Sequence, residues 1–358
     1  MENKNLLSNI AIIRPILILL LVFYHAFAVY SGAWGPIENY PDIRLYWWLD
    51  KLSYAFMLET FVFVSGYVFG YQVRVKGVCK LEAKNLFWTK FKRLIIPCAF
   101  FSFLYILLFY DITQPLYKTV YDVLNGVGHM WFLPMLFWCF GGIWLIEKIR
   151  IKSIFMIPLL VVLSIFSFIP LPFQMNATMY YMLFFYVGYI IQKENYSISR
   201  FNSLKYCLIT TIVFIVLFPT LTLLKENVVL VNDVSAVSGG GYFADSQIII
   251  KALGISFRNL IKLTYSITGV VMLFLVVGTF LKTHTGALPQ WLVNIGGLCM
   301  GVYLFQQFIL KALYYDSTFP MAVSPYLLPW YGFIISLVSS LILAFFCRKT
   351  KIGIFLIG

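Results

Sequence analysis

Arg14 and His25 lie in one apolar run, Ile10 to Tyr30, long enough to cross a membrane as a helix. Ionisable side chains inside such a run are costly, which makes them candidates for function. Eleven residues of α-helix rise about 16 Å and return to within about 20° of the starting direction. The two side chains therefore share one face, Arg14 near the inner end of the span and His25 in its outer half. A guanidinium binds phosphate or polarises a carbonyl oxygen. A neutral imidazole takes a proton from an attacking hydroxyl, or attacks an acyl carbon itself and carries the group. Each has a plainer alternative. Arg14 can snorkel to the interface, and His25 can be a core histidine bonded to a neighbouring helix. Glu59 occupies the middle of the next apolar run, where an unpaired carboxylate is expensive. It is expected to pair with His25 or Arg14, or to be protonated.

The elements that position these groups must be membrane helices. The chain is 61% hydrophobic and only 11% charged, with a mean hydropathy of +0.87. A soluble domain carries roughly 25% charged residues, so this chain cannot cover a water-facing surface. Its net charge of +13 does not indicate nucleic acid, because the basic residues cluster in short loops between apolar runs. The expected fold is all-α: a polytopic bundle of about ten spans of roughly 17–23 residues. They cover 10–30, 52–72, 94–110, 130–147, 153–170, 178–192, 206–224, 261–281, 291–313 and 327–346. One side collects Lys4, then Arg74, Lys76, Lys80, Lys84, Lys90, Lys92 and Arg93, then Lys148, Arg150 and Lys152. Lys193, Arg200, Lys205, Lys282, Arg348, Lys349 and Lys351 follow on the same side. The other side has fewer: Arg44, Lys51, Lys118, Lys225, Lys251, Arg258, Lys262 and Lys311. This asymmetry places both termini in the cytoplasm of a multi-pass protein, and an even number of spans keeps the basic tail there. The N-terminus also resembles a signal peptide, with Lys4 ahead of the apolar run and Ala26-Phe27-Ala28 as a cleavage-like site. Arg14 interrupts that pattern, and the later spans make cleavage unnecessary for export.

The outer loops differ in kind. Segment 31–51 is rich in aromatic residues, among them Trp34, Tyr40, Tyr46, Trp47 and Trp48. Aromatic faces stack on sugar rings and also form interfacial belts. Segment 225–260 is the longest expected loop, with a flexible Ser238-Gly239-Gly240-Gly241 run. The Gln247–Ile261 stretch after it mixes apolar and basic residues suited to the outer interface. His129 and Trp131 start the fourth span, where His129 is expected to be interfacial. Six cysteines, Cys79 in a basic loop and the rest in apolar runs, show no metal-ligand spacing. Neither a disulfide framework nor a metal site is indicated.

Four motifs, at Arg14 and His25, Glu59–Tyr67, Lys92–Pro97 and Ile295–Phe305, together resemble those of the acyltransferase 3 integral-membrane O-acyltransferases, over nearly the whole chain. Arg14 and His25 match the family's Arg and His eleven residues apart in the first span. Glu59-Thr60-Phe61-Val62-Phe63-Val64-Ser65-Gly66-Tyr67 resembles its acidic, Phe-rich, Ser-Gly-Tyr element in the second. Lys92-Arg93-Leu94-Ile95-Ile96-Pro97 resembles the basic run ending in Pro, and Ile295–Phe305 its Gly-rich late span. His129-Met130-Trp131-Phe132-Leu133 is a weaker fifth. There are departures: Cys299 stands where Ser is frequent, and Gln306 where His is frequent, so a late His is not required here. The inner basic run has Lys90 and Lys92 where arginine is usual, and lysine acts only as a point charge on phosphate.

The resemblance implies a single integral-membrane domain over 1–358 without a fused soluble domain. It implies an acyltransferase, moving an acyl group, most commonly acetyl, from a cytoplasmic acyl-CoA to a carbohydrate hydroxyl. The donor, acetyl-CoA or another acyl-CoA, is a substrate rather than a bound cofactor. In that frame His25, Arg14 and Glu59 are the expected catalytic set. Arg93, Lys92 and Lys90 are the expected donor-binding set, and Trp47, Trp48 and Trp131 the acceptor-binding set. Expected partners are the acyl-CoA, a carbohydrate acceptor and the lipid bilayer, in a bacterial cytoplasmic membrane, with no nucleic acid. A glycan or lipid-linked-sugar transporter or flippase is the alternative, since it too holds charged residues at mid-depth.

Overall fold

The computed structural model describes residues 2–37, 40–77, 81–110, 114–234, 244–284 and 288–357. Among them every regular element is a helix. In order the α-helices are α1 (Glu2–Phe27), α2 (Arg44–Tyr54), α3 (Met57–Lys76), α4 (Ala83–Lys90) and α5 (Ile96–Phe109). Next come α6 (Leu116–Asn125), α7 (Phe132–Ile149), α8 (Ser153–Ile165), α9 (Met175–Lys193) and α10 (Leu204–Val234). The last are α11 (Ala244–Thr283), α12 (Gln290–Tyr315), α13 (Phe319–Ala322), α14 (Leu328–Cys347) and α15 (Lys351–Ile357).

Each expected span falls on a helix. Among the described residues, eight helical segments are long and apolar enough to cross a membrane. The segments at α8 and α9 are the exceptions. α8 has 13 residues and carries Pro158. α9 has 19 residues but is less apolar, because Tyr180, Tyr181, Tyr186 and Tyr189 replace aliphatic side chains. All four tyrosines are buried against neighbouring helices rather than lipid. The surface has the opposite character: α10 exposes Leu208, Ile212, Ile215 and Val216, as a lipid-facing helix does. The short α6 exposes Leu116, Tyr117 and Val120, the pattern of a helix lying in an interface.

The 225–260 segment is mostly helical, contrary to the expected long loop. α10 has 31 residues and α11 has 40. Forty helical residues reach about 60 Å, about twice the thickness of the hydrocarbon core. The Gln247–Ile261 stretch is therefore continuous with a span and is not a separate interfacial helix. The Ser238–Gly241 run, Cys79 and Lys80 lie outside the described residues.

α3 packs most extensively on α9. Gly66 and Gly70, one turn apart on α3, allow this. A Cβ at either would collide with the backbone carbonyl of Phe185 or Tyr189 on α9. Small residues four apart give membrane helices this close approach. α1 is central, touching α2, α3, α11, α12 and α14. At its His25 end, the Tyr314 hydroxyl donates to the Ala26 carbonyl at 2.9 Å. The aromatic segment after α1 is pinned to α13 and to the loop between α13 and α14. Tyr40 donates to the Pro320 carbonyl at 2.7 Å and Tyr46 to the Tyr326 carbonyl at 2.6 Å, and Tyr30 bonds Pro325.

Candidate functional site

Two cavities open along α1 and divide at Leu21. The larger, about 820 Å³, is lined by Arg14, Lys90, Lys92, Arg93 and Arg348 and by no carboxylate. The smaller, about 370 Å³, is lined by His25, His129, Trp34, Trp131, Gln307 and Lys311 among others. Leu21, Leu58, Phe132 and Tyr303 line both, so these four side chains form the partition between them. Leu21 is one helical turn from His25 and two turns from Arg14 on the same face.

The basic cavity is shaped by helix irregularities. Phe91–Ile95 forms a π-helical turn between α4 and α5, closed by the Ile96 N–H on the Phe91 carbonyl. Pro97 has no N–H, which disfavours the regular ladder at this point, and π turns recur at functional sites. The turn carries Lys92 and Arg93 to the cavity. Lys90, the residue just before the turn, lies 3.6 Å from the centre of the Phe140 ring. Pro15 similarly removes one ladder bond beside Arg14. Arg348 packs against Gly297, where a side chain would meet its guanidinium. In sequence Arg348 is distinguished only as part of the basic tail. The apolar wall includes Ile354, Phe355, Leu356 and Ile357 of α15.

In the other cavity, His25 is 6% exposed and its ring stands 6.1 Å from that of His129. The Leu21 carbonyl and the Gln306 side chain approach His25, but neither the Gln306 amide nor His25 Nδ1 closes a hydrogen bond of full geometry among the described residues. Buried polar atoms without partners are uncommon, and a cluster of them beside a cavity is where a polar ligand would bind. His129, by contrast, is fully tethered. Its backbone N–H donates to Gln307 Oε1 at 2.9 Å, and its Nδ1 meets the same oxygen. Its Nε2 faces the Leu304 carbonyl at 3.2 Å, and its own carbonyl accepts from the Tyr303 hydroxyl at 2.6 Å. Gly128 sits at φ +59° with Tyr105 and Gln307 packed where a Cβ would be. That backbone shape, open to glycine, turns His129 inward. His129 is thus a buried cavity residue and not an interfacial one. The sequence signal for it was the weak His129–Leu133 motif.

The expected site residues separate as follows. Arg14, Lys90, Lys92 and Arg93 share one cavity, and His25 and Trp131 share the other. Trp47 and Trp48 do not line either described cavity. Trp47 packs under Arg44, and Trp48 against Phe218. Trp34 lines the smaller cavity instead, with its ring 5.8 Å from that of His25. Glu59 lines neither cavity. It is wholly buried and pairs with Lys262, Nζ to Oε1 at 3.2 Å, instead of with His25 or Arg14. Tyr54, Tyr180 and Tyr181 surround the Lys262 ammonium, with ring centres 4.5–5.5 Å away. No group of metal-ligating side chains occurs among the described residues.

A family model described as an acyltransferase domain matches residues 7–349. The chain belongs to the acyltransferase 3 family. It is therefore a membrane acyltransferase, an enzyme with an acyl donor and an acceptor, embedded through several apolar helices. No curated protein and no solved structure matches it. Within this acyltransferase, Gln306, one of the positions that differ from the motif the chain resembles, stands against His25.

Proposed function

We propose that this acyltransferase takes an acyl group, acetyl in the simplest case, from a cytoplasmic acyl-CoA and places it on a carbohydrate hydroxyl. The carrying observation is the pair of cavities: one basic without carboxylates, the other aromatic with His25, separated by a partition four side chains wide. In this reading Arg14, Lys90, Lys92, Arg93 and Arg348 hold the donor phosphates. The acyl-bearing arm passes Leu21, Leu58, Phe132 and Tyr303 towards His25, along about 16 Å of α1. Arginine forks favour phosphate bidentately, and the lysines add charge.

At His25 the acceptor hydroxyl loses its proton as it attacks the thioester carbonyl. The C–S bond breaks, an O-ester forms, and the proton goes to the departing thiolate. Alternatively the imidazole attacks first, forming an acyl-imidazole that the hydroxyl then cleaves. Both routes need a neutral ring with a free nitrogen, which suits the unpaired Nδ1. Trp34 and Trp131 offer flat faces for the sugar. Glu59 and Lys262 join α3 to α11 behind Tyr54, which lines the acceptor cavity.

The charge asymmetry of the loops supports placing the Arg14 end in the cytoplasm of a bacterial cell. In a cysteine-free background, Lys84→Cys should label only from inside and Lys118→Cys only from outside. Labelling of both from one side would overturn that orientation. The activity itself is tested with radiolabelled acetyl-CoA and inside-out vesicles, with and without the protein. Label should pass to a glycan or glycolipid only when the protein is present. Transport of an unmodified glycan without thioester consumption would support a flippase instead.

A further inference from the structure

We infer that the acceptor carries a negative charge, a carboxylate or a phosphate, which Lys311 binds beside the hydroxyl that is acylated. The inference rests on the assignment of the His25 cavity to the acceptor. Lys311 lines that cavity, which has no carboxylate in its wall. It forms no ion pair among the described residues. Asp316, whose charge acts on it, does not line the cavity.

The lysine is held in place without being neutralised. Its ammonium lies 5.6 Å from the centre of the Trp34 ring and 4.8 Å from that of Tyr315. Tyr315 is itself fixed, its hydroxyl donating to the Gly35 carbonyl at 2.6 Å. Aromatic faces orient a cation but leave its charge available. A half-buried cation in an apolar membrane protein is costly unless a partner completes it. Positive residues are also disfavoured on the outer side, so topology does not account for this one.

Trp34 links the two groups: one side of the indole faces His25 and Lys311 lies near the same ring. A sugar stacked there would present one hydroxyl to His25 and its anionic substituent to Lys311. Such an arrangement selects an acidic sugar over its neutral counterpart.

The test is equilibrium binding to the purified full chain in detergent at low salt, read by thermal unfolding. The probes are methyl β-D-glucuronide, glucose 6-phosphate and the neutral methyl β-D-glucoside. At least one acidic sugar should bind about tenfold more tightly than the glucoside, as a charge-assisted contact provides. The carboxylate and phosphate arms show which anion is preferred. K311Q should bring the acidic sugar down to the glucoside, and K311R should keep the preference. Raising the salt should weaken the acidic sugar selectively in the wild type. Equal binding of all three sugars, binding of none, or a preference that survives K311Q would overturn the inference. The wild-type comparison stands even if a variant does not fold. An acidic preference in a protein that transfers no label from acetyl-CoA would refute the acyl-transfer mechanism and leave the anion site standing.

Discussion

His25 and His129 meet edge to face across the smaller cavity, their ring centres 6.1 Å apart, with His25 Nδ1 unpaired and both His129 nitrogens facing acceptors. The asymmetry assigns them different tasks. His25 is free to handle a proton or an acyl group. His129 is locked to α12 and shapes the wall against which the acceptor reacts.

His129→Ala should therefore reduce turnover by about tenfold or more, leaving the donor half-saturation unchanged. Gln307→Ala should act in the same direction, and the double variant should be less than additive, because the two residues share one network. Steady-state kinetics of the four proteins checks this. Additive losses, or a shift confined to the donor, would place His129 elsewhere in the mechanism.

Donor binding should depend on the basic cavity. Arg14→Gln, Arg93→Gln and Arg348→Gln should each raise the donor half-saturation by about ten- to a hundredfold, the range for losing a hydrogen bond to a charged group. Membrane insertion should be unaffected. Unchanged donor dependence in all three would mean that Arg14 snorkels and the others serve topology alone.

The Glu59–Lys262 pair should show strong coupling. Lys262→Met leaves the wholly buried Glu59 carboxylate without its partner, a loss of about 3–5 kcal/mol, whereas Glu59→Gln leaves the partly exposed Lys262 ammonium and should cost less. The double variant should recover much of that stability. Thermal unfolding of detergent-solubilised protein measures the cycle. A double variant as unstable as the sum of the singles would show that the pair does not hold α3 to α11.

Close packing of α3 on α9 gives a further expectation. Gly66→Ala should lower the unfolding temperature and the yield of folded protein, since the obstruction is backbone, which cannot rotate away. Gly296→Ala, where a Cβ meets open space, is the control. Equal stability of the two would contradict the helix contact.

The apolar spans were legible because lipid permits only long apolar runs. Arg14 and His25 were legible for the same reason, as breaks in such a run. What was not legible depends on three-dimensional burial. Tyr180, Tyr181, Tyr186 and Tyr189 make α9 look marginal, but protein rather than lipid surrounds it. His129 sits at the start of a helix, where interfacial residues are common. Only the Gly128 turn and the Gln307 tether draw it inward. Lys262 looked like an outer-loop cation and Arg348 a topogenic one, because spacing along the chain does not tell which helix each faces. Trp34, Trp47 and Trp48 were equivalent in sequence, and the fold brings only Trp34 against His25.

The most direct measurement is acyl transfer by purified His25→Ala and His25→Asn, compared with wild type at matched membrane expression. A general base contributes about 10²–10⁴ in rate, and a covalent carrier at least as much. Both variants should therefore lose transfer by at least that factor while still binding donor at the basic cavity. His284→Ala, an exposed residue stacked on Phe280, should be near normal. Mass spectrometry after donor addition alone distinguishes an acylated His25 from direct base catalysis. Near-normal transfer by His25→Ala would contradict the account.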